Sequence, residues 1–278
     1  MPYVTAGWGF RVCSRRSQFK ASSRAQLHGC LTRAQYMRDG FGSQLLHHLC
    51  SHALAAANAT HFWPGAWQSI DHIDGDVAIR RFLIRVAALL PGAAPAASKP
   101  CKTPLLVRRS CVHEVALCNY EEILPLYRRK LPCAQRQVRH LAMHIRRGDV
   151  KVTSGVRWVP AQHYHNVAMW WMNSQKEHIH LHSEGSPSDF PWCKLPMCVL
   201  KLNIDVIEAF HDSVCARHFV GTTSSSLSMV IALLRAANST LLVNHRHSFP
   251  GVLPSRWHLG RVDDNRTSLS NMGLLPTM

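Results

Sequence analysis

The chain has 278 residues, of which 46% are hydrophobic, which excludes a wholly disordered protein and leaves room for one large or two small domains. Its 32 Lys and Arg residues against 16 Asp and Glu residues give a formal net charge of +16, which favours acidic partners such as phosphates, nucleic acid or anionic membranes. The basic residues are dispersed and form no zinc-finger, RNP or basic-zipper pattern, so we do not expect a nucleic-acid-binding module.

The amino-terminal half contains one clear helical pattern. Apolar residues recur at helical spacing from Gln44 to Ala59, directly after the turn-like segment Asp39–Gly42, so the pattern predicts a glycine loop that opens a helix. An Ala-, Pro- and Ser-rich stretch from Pro91 to Pro104 is typical of a loop or linker, and residues 131–136 form a second polar break. No hydrophobic run is long enough to span a bilayer.

The carboxyl-terminal half alternates strand-like and helix-like segments. Such alternation predicts an α/β fold, with a parallel sheet covered by helices on both faces. The predicted elements are a strand that ends at Ile145, a helix from Tyr164 to Met172, a strand from His178 to His182, a Pro-rich loop from Pro187 to Pro196, a helix from Ile204 to Phe210, a strand from His218 to Val220, a helix from Leu227 to Ala237 and a strand from Thr240 to Val243.

The segment HIRRGD at residues 144–149 is the most informative motif. An apolar strand that ends at Ile145 delivers Arg146 and Arg147, whose planar guanidinium groups can each bind a phosphate through paired hydrogen bonds. The motif therefore favours a nucleotide-sugar site, although a solvated salt-bridge cluster at a strand end is the structural alternative. Adhesion through the RGD tripeptide is not expected, because adhesive RGD lies on an exposed loop tip and here a buried-type strand precedes it.

The segment GFGSQLLHH at residues 40–48 is a second candidate for anion binding. Its small residues allow backbone amides at a helix start to approach an anion. The alternative is an ordinary turn before a core helix, in which His47 and His48 lie at the surface or are packed.

Two further segments place polar side chains where open α/β sheets bind ligands. The strand from His178 to His182 leads into Ser183 and Glu184 at its predicted carboxyl end, and this is either a ligand-binding edge or a plain surface strand end. The segment VGTTSSSLS at residues 220–228 supplies five hydroxyl groups before an apolar helix is under way. A helix cap needs only one hydroxyl, so the excess favours phosphate binding.

The cysteines and sequons bear on the cellular compartment. Ten cysteines at irregular spacing form no zinc-type pattern, so they are either disulfides of a secretory compartment or free buried thiols. Three sequons, at Asn58, Asn238 and Asn265, favour the secretory pathway. The amino terminus has no signal-peptide hydrophobic region, so for a lumenal protein we expect a targeting segment that is missing from this chain or unrecognisable.

Taken together in this order, the motifs resemble those of the fucosyltransferase superfamily. GFGSQLLHH is similar to the GxGxQLHH loop of the α-1,6 and nodulation type, and Trp67 after Pro64 to Ala66 is similar to the Gly-Gly-Trp that follows that loop. HIRRGD is similar to the HxRRxD motif, which is the most specific of the family's signatures. The block from Asp205 to Ser228 is similar to the acidic, helix, strand and Ser-rich motif shared with the α-1,2 type.

The resemblance implies a GT-B-like fold with Rossmann-type parallel sheets. Residues 1–135 would form a reduced N-terminal domain on the acceptor side, which carries the glycine loop, and residues 136–278 a better-formed domain that binds GDP-fucose. Fucose would pass from GDP-fucose to a glycan or glycoprotein acceptor with inversion, without a metal or other cofactor. The implied location is the lumen of the secretory pathway, in the Golgi, although a cytoplasmic location stays open because no targeting segment is visible.

The resemblance also assigns roles to residues. Arg146 would hold the β-phosphate and stabilise the leaving GDP, and Lys151 would be the second catalytic residue. The implied donor-binding residues are Gly40, Gly42, Gln44, His144, Arg146, Arg147, Asp149, Asp205, Thr223, Ser224, Ser225 and Ser226.

Two departures from the family pattern and one additional motif keep alternatives open. The first domain is short, and the segment Thr153 to Gly155 stands where the α-1,6 type has a glutamate, so the catalytic base is not identified. A catalytically degenerate module that binds a nucleotide sugar or glycan is therefore an alternative, and a polyanion-binding basic protein is a further one. Asp74 and Asp76 form a DxD, which holds Mn²⁺ or Mg²⁺ in another class of glycosyltransferase and stays a minor alternative here.

Overall fold

The structure is a computed structural model that describes residues 31–34, 40–57, 61–63, 76–90, 105–107, 123–131, 133, 138–148, 150, 158–194, 196–235, 239–244 and 257–261. Several features singled out above lie outside these residues. They are the loop Pro91–Pro104, the three sequon asparagines, Trp67, Asp74, Asp149 and Lys151.

A six-stranded parallel sheet forms the larger part of the described structure. Its spatial order is β6-β5-β4-β7-β8-β9, and every neighbouring pair is parallel. The chain therefore builds outward in one direction from β4 and then returns to the other side of β4, which creates a topological switch point between β4 and β7. The strands are β4 (Val138–Ile145), β5 (Ile179–Ser183), β6 (Cys198–Leu202), β7 (Ala216–Thr222), β8 (Ser239–Asn244) and β9 (Trp257–Arg261).

A second parallel sheet of three strands precedes it in the chain. Its order is β2-β1-β3, formed by β1 (Leu31–Ala34), β2 (His61–Trp63) and β3 (Leu105–Val107). The prediction of an α/β fold with Rossmann-type parallel sheets is confirmed, and within the described residues the six-stranded sheet of the carboxyl-terminal half is the better formed. The longer helices are α1 (Phe41–Ala57), α2 (Asp76–Leu89), α3 (Ala161–Ser174), α4 (Val206–Cys215) and α5 (Ser226–Leu234). Of the described helices, none combines the length and apolarity that crossing a membrane requires.

Alternating side chains of β4 divide the core between the two faces of the large sheet. Leu141, Met143 and Ile145 pack with Trp171 of α3 in a cluster on one face. Ala142 faces the opposite side, where the cluster contains residues of α4 and α5. Helices cover both faces of the sheet, but its strands are not continuous apolar runs, since β4 contains His140 and His144 and β5 contains His180 and His182.

The opposite cluster also contains the helices associated with the small sheet. Phe41 of α1 lies between Phe82 of α2 and Phe210 of α4, with edge-to-face ring contacts at centroid distances of 5.8 and 5.5 Å. A short helix at residues 123–128 adds Leu124 and Tyr127 to the same cluster. Burial of these aromatic rings against one another joins α1, which packs on β1 and β2, to α4 of the large sheet in one hydrophobic cluster.

Several predicted elements differ from those observed. Strand β6 and strand β9 were not predicted, because their sequences CVLKL and WHLGR are short and lack a full apolar alternation. Helix α4 begins at Val206 and not at Ile204, because the Asp205 carboxylate caps it by accepting hydrogen bonds from the amides of Ile207 and Glu208. Helix α2 was also missed, since its many arginines mask the apolar spacing.

The cysteines that the structure describes are disulfide-bonded. Cys133 pairs with Cys215, and Cys193 pairs with Cys198. Cys50 is also disulfide-bonded. For these residues the disulfide interpretation is confirmed and the free-thiol alternative is wrong.

Candidate functional site

The candidate site lies at the switch point of the large sheet, where β4 and β7 end side by side. Arg146 follows directly after β4, and its Nη1 donates a hydrogen bond to the backbone carbonyl of Ser224 at 3.2 Å. Ser224 belongs to the turn between β7 and α5. Because ligands of open α/β sheets bind outside the carboxyl ends of the strands at such a point, the guanidinium lies where the fold places a ligand.

His144 connects β4 to the first turn of α5. Its Nδ1 lies 2.7 Å from the hydroxyl oxygen of Ser228, a residue that the sequence interpretation did not include among the site residues. Burial, with smaller contributions from the nearby His182 and Arg146, lowers the pKa of His144 to about 3. His144 is therefore neutral at physiological pH, and the positive charge at this point comes from Arg146.

The Ser-rich turn uses its hydroxyl groups in distinct ways. The Ser225 side chain caps α5 by accepting a hydrogen bond from the amide of Ser228 at 3.4 Å. The hydroxyls of Thr222 and Ser224 lie 2.9 Å apart and form a hydrogen bond within the turn. Thr223 and Ser226 lie beside them and are partly exposed.

The amino termini of α1 and α5 meet at this turn. Gly42, the second residue of α1, lies so close to α5 that a Cβ on it would overlap the backbone of Leu227, the second residue of α5. The glycine loop opens α1 as predicted, since the Gly40 carbonyl accepts hydrogen bonds from the amides of Ser43 and Gln44 at 3.1 and 3.2 Å. Each helix start carries a partial positive charge, so two of them and Arg146 create a positive potential suited to an anion.

Arg147 does not share the surroundings of Arg146, although the sequence predicts that the two arginines serve one diphosphate pocket. Its guanidinium donates to the carbonyl of Arg146 at 2.9 Å and to that of Val159 at 3.0 Å, and it lies 3.8 Å from the ring centroid of Trp158. Only 7% of the residue is exposed, and burial lowers its pKa. Consecutive residues at a strand end point to opposite sides, so Arg146 faces the Ser-rich turn while Arg147 holds the segment before α3.

Asp205 also has structural partners in this arrangement. Besides capping α4, its carboxylate forms an ion pair of 2.9 Å with Arg85 of α2. Its described contacts therefore join two helices, and none of them is with Arg146 or the Ser-rich turn.

A carboxylate that the sequence interpretation placed only at a strand end lies against the HIRRGD segment. Gly148 has a φ of 67°, and a Cβ there would overlap the carboxylate of Glu184 at the end of β5. The neighbouring Ser183 hydroxyl donates to the carbonyl of Ile145 at 2.7 Å, which joins the ends of β4 and β5. The positive φ favours glycine at this turn, whereas the exposed Glu184 side chain could move aside for a Cβ.

The described structure therefore brings together Gly40, Gly42, His144, Arg146 and the Ser-rich turn, and buries Gln44 in α1 beside them. It does not bring Arg147 or Asp205 into contact with this group, and Asp149 and Lys151 lie outside the described residues. Ser228 was missed because a hydroxyl inside a helix gives no sequence signal.

Comparisons with known proteins add little to this picture. No protein-family model matches the chain, and no curated protein matches it. Among solved structures, the E. coli heptosyltransferase WaaC with ADP is similar to this chain, with 12% sequence identity and a TM-score of 0.35. The match covers 86% of this chain and 69% of the WaaC chain. A match at this level carries no argument about the activity of this chain.

The geometry itself favours binding of a diphosphate. One guanidinium and two helix amino termini lie together at the Ser-rich turn, whereas the neutral His144 adds no charge. Such fixed donors require no reorganisation when negative charge builds up on a leaving group, so they stabilise a departing diphosphate more than a neutral ground state.

Proposed function

We propose that this protein is a glycosyltransferase that transfers fucose from GDP-fucose to a glycan or glycoprotein acceptor with inversion. The observation that carries the proposal is the convergence of Arg146 with the amino termini of α1 and α5 at the switch point. The choice of GDP-fucose rests on the resemblance of GFGSQLLHH and HIRRGD to fucosyltransferase motifs.

In the proposed reaction an acceptor hydroxyl attacks C1 of fucose on the face opposite to GDP. The bond between C1 and the β-phosphate oxygen breaks, a general base that is not identified takes the proton of the acceptor hydroxyl, and the diphosphate leaves with an added negative charge. Arg146 and the two helix starts face that charge, which is the role usually given to a metal ion in other transferases. Metal-independent transfer is the expectation that goes with this arrangement, with Lys151 as the proposed second catalytic residue.

The organisation and location follow from the same proposal. Residues 136–278 would bind the donor through Arg146, His144, Thr223 and Ser224 to Ser226, and residues 1–135 would present the acceptor and contribute Gly40, Gly42 and Gln44. We propose structural roles for Arg147 and Asp205, which support the pocket from outside. Disulfides persist in oxidising compartments, so the two observed pairs support a secretory, Golgi-type location.

Calorimetry with GDP and with GDP-fucose, each with and without EDTA, tests the proposal. We expect binding in both conditions and a loss of roughly 100-fold in GDP affinity for Arg146→Ala, because a charge-assisted contact to phosphate contributes about 3 kcal/mol. Arg139→Ala is the matched control, since Arg139 is an exposed arginine of β4, the strand that precedes Arg146. The GDP affinity of this variant should equal that of the wild type.

Two results would change the conclusion. GDP binding without release of fucose or transfer to glycan acceptors would make the protein a degenerate nucleotide-sugar-binding module. If GDP does not bind, or binds Arg146→Ala as tightly as the wild type, the transferase proposal fails and binding of polyanions by the basic surface becomes the explanation to test with heparin and polyphosphate.

A further inference from the structure

A polar cluster lies under α4, on the face of the large sheet that also carries His144. His140 of β4 and His180 and His182 of β5 point to this face, and Asp212 in the last turn of α4 covers them. The cluster adjoins the switch-point site through His182, which pairs with His144, but its centre is displaced from it, because His140 lies in the first half of β4 whereas Arg146 follows the carboxyl end of that strand. None of these residues has a role in the proposed transfer reaction.

The ligand-type atoms of three of these residues converge. His140, His180 and Asp212 each offer one atom, and these atoms lie within 4.8 Å of one another. The two imidazole rings stack with centroids 4.1 Å apart, and His180 Nδ1 lies 2.8 Å from Asp212 Oδ2. In a tetrahedral zinc site, with zinc–nitrogen bonds of 2.0–2.1 Å, donor atoms are about 3.4 Å apart. The contacts of Asp212 with His180 and His140, at 2.8 and 3.5 Å, lie near this spacing, and any wider pair, up to 4.8 Å, would have to close on metal binding.

His140 is the observation that points to a bound ion. The residue is 2% exposed, and within the described part of the chain neither ring nitrogen makes a hydrogen bond. Its Nε2 is 3.5 Å from Asp212 Oδ1, which is at the limit for a hydrogen bond. A buried imidazole that is held only by so long a contact is costly, and coordination of a cation would satisfy its nitrogen.

We infer that His140, His180 and Asp212 form a binding site for a divalent transition-metal ion of the zinc type. Imidazole nitrogen and carboxylate oxygen are donors that zinc prefers, and the three residues come from β4, β5 and α4. The ion would join α4 to the sheet, which is a structural role. His182, whose Nε2 lies 2.7 Å from Asp212 Oδ2, would orient the carboxylate.

Lys201 gives the proposal a distinctive test. Its Nζ lies 3.2 Å from Asp212 Oδ2, so the ammonium group and a metal ion compete for the same carboxylate. Lys201 is one-quarter exposed and can move into solvent when an ion binds. Removal of the Lys201 charge should therefore tighten metal binding. If the cluster were only an ion-pair network, the same change would remove one of its ion pairs and would not tighten the binding of a metal ion.

The experiment measures Zn²⁺ and Co²⁺ binding to the purified full-length chain by calorimetry and by metal analysis after dialysis. We expect one equivalent bound, visible bands of tetrahedral Co²⁺, and a melting temperature that rises with Zn²⁺. Asp212→Asn and His180→Gln should each lower the affinity by at least about 100-fold, since even changes to outer-shell partners cost 10- to 100-fold. Lys201→Met should bind more tightly than the wild type.

The exposed His178, which directly precedes β5, provides the matched control. His178→Gln should bind Zn²⁺ with the same affinity as the wild type. Absence of zinc binding to the wild type would overturn the inference. So would equal binding by the wild type and His180→Gln, because surface histidines would then hold the metal. If Asp212→Asn does not fold, Lys201→Met still decides, because unchanged or weaker binding by that variant contradicts the site.

Discussion

Several arginines of this basic chain serve the backbone and not a ligand. Arg235 is fully buried and donates to the carbonyls of Ser213 and Ala216 at 2.7 Å each, and Arg128 donates to the carbonyls of Leu233 and Leu234 at 3.1 and 3.2 Å. Arg147 behaves in the same way. Part of the excess positive charge is thus structural, so net charge alone overstates the ligand-binding surface.

For Arg147, the structure predicts an effect on stability and not directly on nucleotide binding. Arg147→Ala should lower the free energy of unfolding by about 3 kcal/mol, because it leaves the buried Val159 carbonyl unpaired and removes the cation–π contact with Trp158. Urea unfolding of this variant and of Arg146→Ala measures the difference. Equal stability of both variants, with loss of GDP affinity only in Arg147→Ala, would contradict the assignment.

His48 makes stability depend on pH. Burial, and then the neighbouring His52 and His47, lower its pKa from 6.5 to about 3, and its ring packs edge-on against Phe62 at 4.9 Å. The unfolded chain takes up the proton near pH 6.5, so protonation favours unfolding. The contribution of His48 is complete above pH 6.5 and is lost as the pH falls towards 3.

At pH 5 this loss should amount to about 2 kcal/mol relative to pH 7. Chemical denaturation at both pH values of the wild type and His48→Gln measures it, and the variant should lose that part of the pH dependence. His178→Gln, at an exposed position, should keep the full dependence. A variant His48→Gln with the wild-type pH dependence would show that the folded protein accepts this proton without cost.

At the scale of elements, the contact between α1 and α5 decides the geometry of the candidate site. The two helix starts can converge only because Gly42 has no side chain. The glycine loop and the Ser-rich turn are far apart in sequence, and each alone resembles an ordinary helix start. Their contact is what turns two common features into one anion-binding candidate.

Gly42→Ala should therefore push α1 away from α5. Its Cβ would meet the Leu227 backbone, which cannot move like a side chain, so we expect a loss of about 2 kcal/mol in stability together with weaker GDP binding. Gly40→Ala is the matched control, because a Cβ there meets nothing within 4 Å, and it should cost less than about 0.5 kcal/mol. Equal effects of both changes would refute the close helix contact.

At the scale of the whole molecule, the two sheets depend on each other. The rings of Phe41, Phe82 and Phe210 join the helices of both sheets, and the Tyr127 hydroxyl lies 2.8 Å from His52 Nδ1. The Cys133–Cys215 disulfide adds a covalent link between the segment after the short helix and the end of α4.

This disulfide should stabilise the protein more than the local one. Its sequence separation is 82 residues, whereas that of Cys193–Cys198 is 5. Chain-entropy arguments give about 4.6 kcal/mol for closing the longer loop and about 2 kcal/mol for the shorter one. Denaturation of the double variants Cys133→Ser/Cys215→Ser and Cys193→Ser/Cys198→Ser under oxidising conditions should show this order, and the reverse order would contradict it.

By itself, the sequence determined the local features of this protein. Apolar runs and turn residues located β4, α3, β5 and the helix starts at Gly40 and Ser225 to within a few residues, because periodicity and capping act over one or two turns of chain. The sequence also predicted correctly that Arg146 directly follows the end of β4. Short strands such as β6 carry too few residues for such a pattern to be read.

Only the tertiary structure decided which residues meet. It turned Arg146 towards Ser224 and Arg147 towards Val159, and it brought His140, His180 and Asp212 to one point under α4. The physical reason is that strand register and helix packing set the direction of each side chain, and these depend on partners far away in the chain.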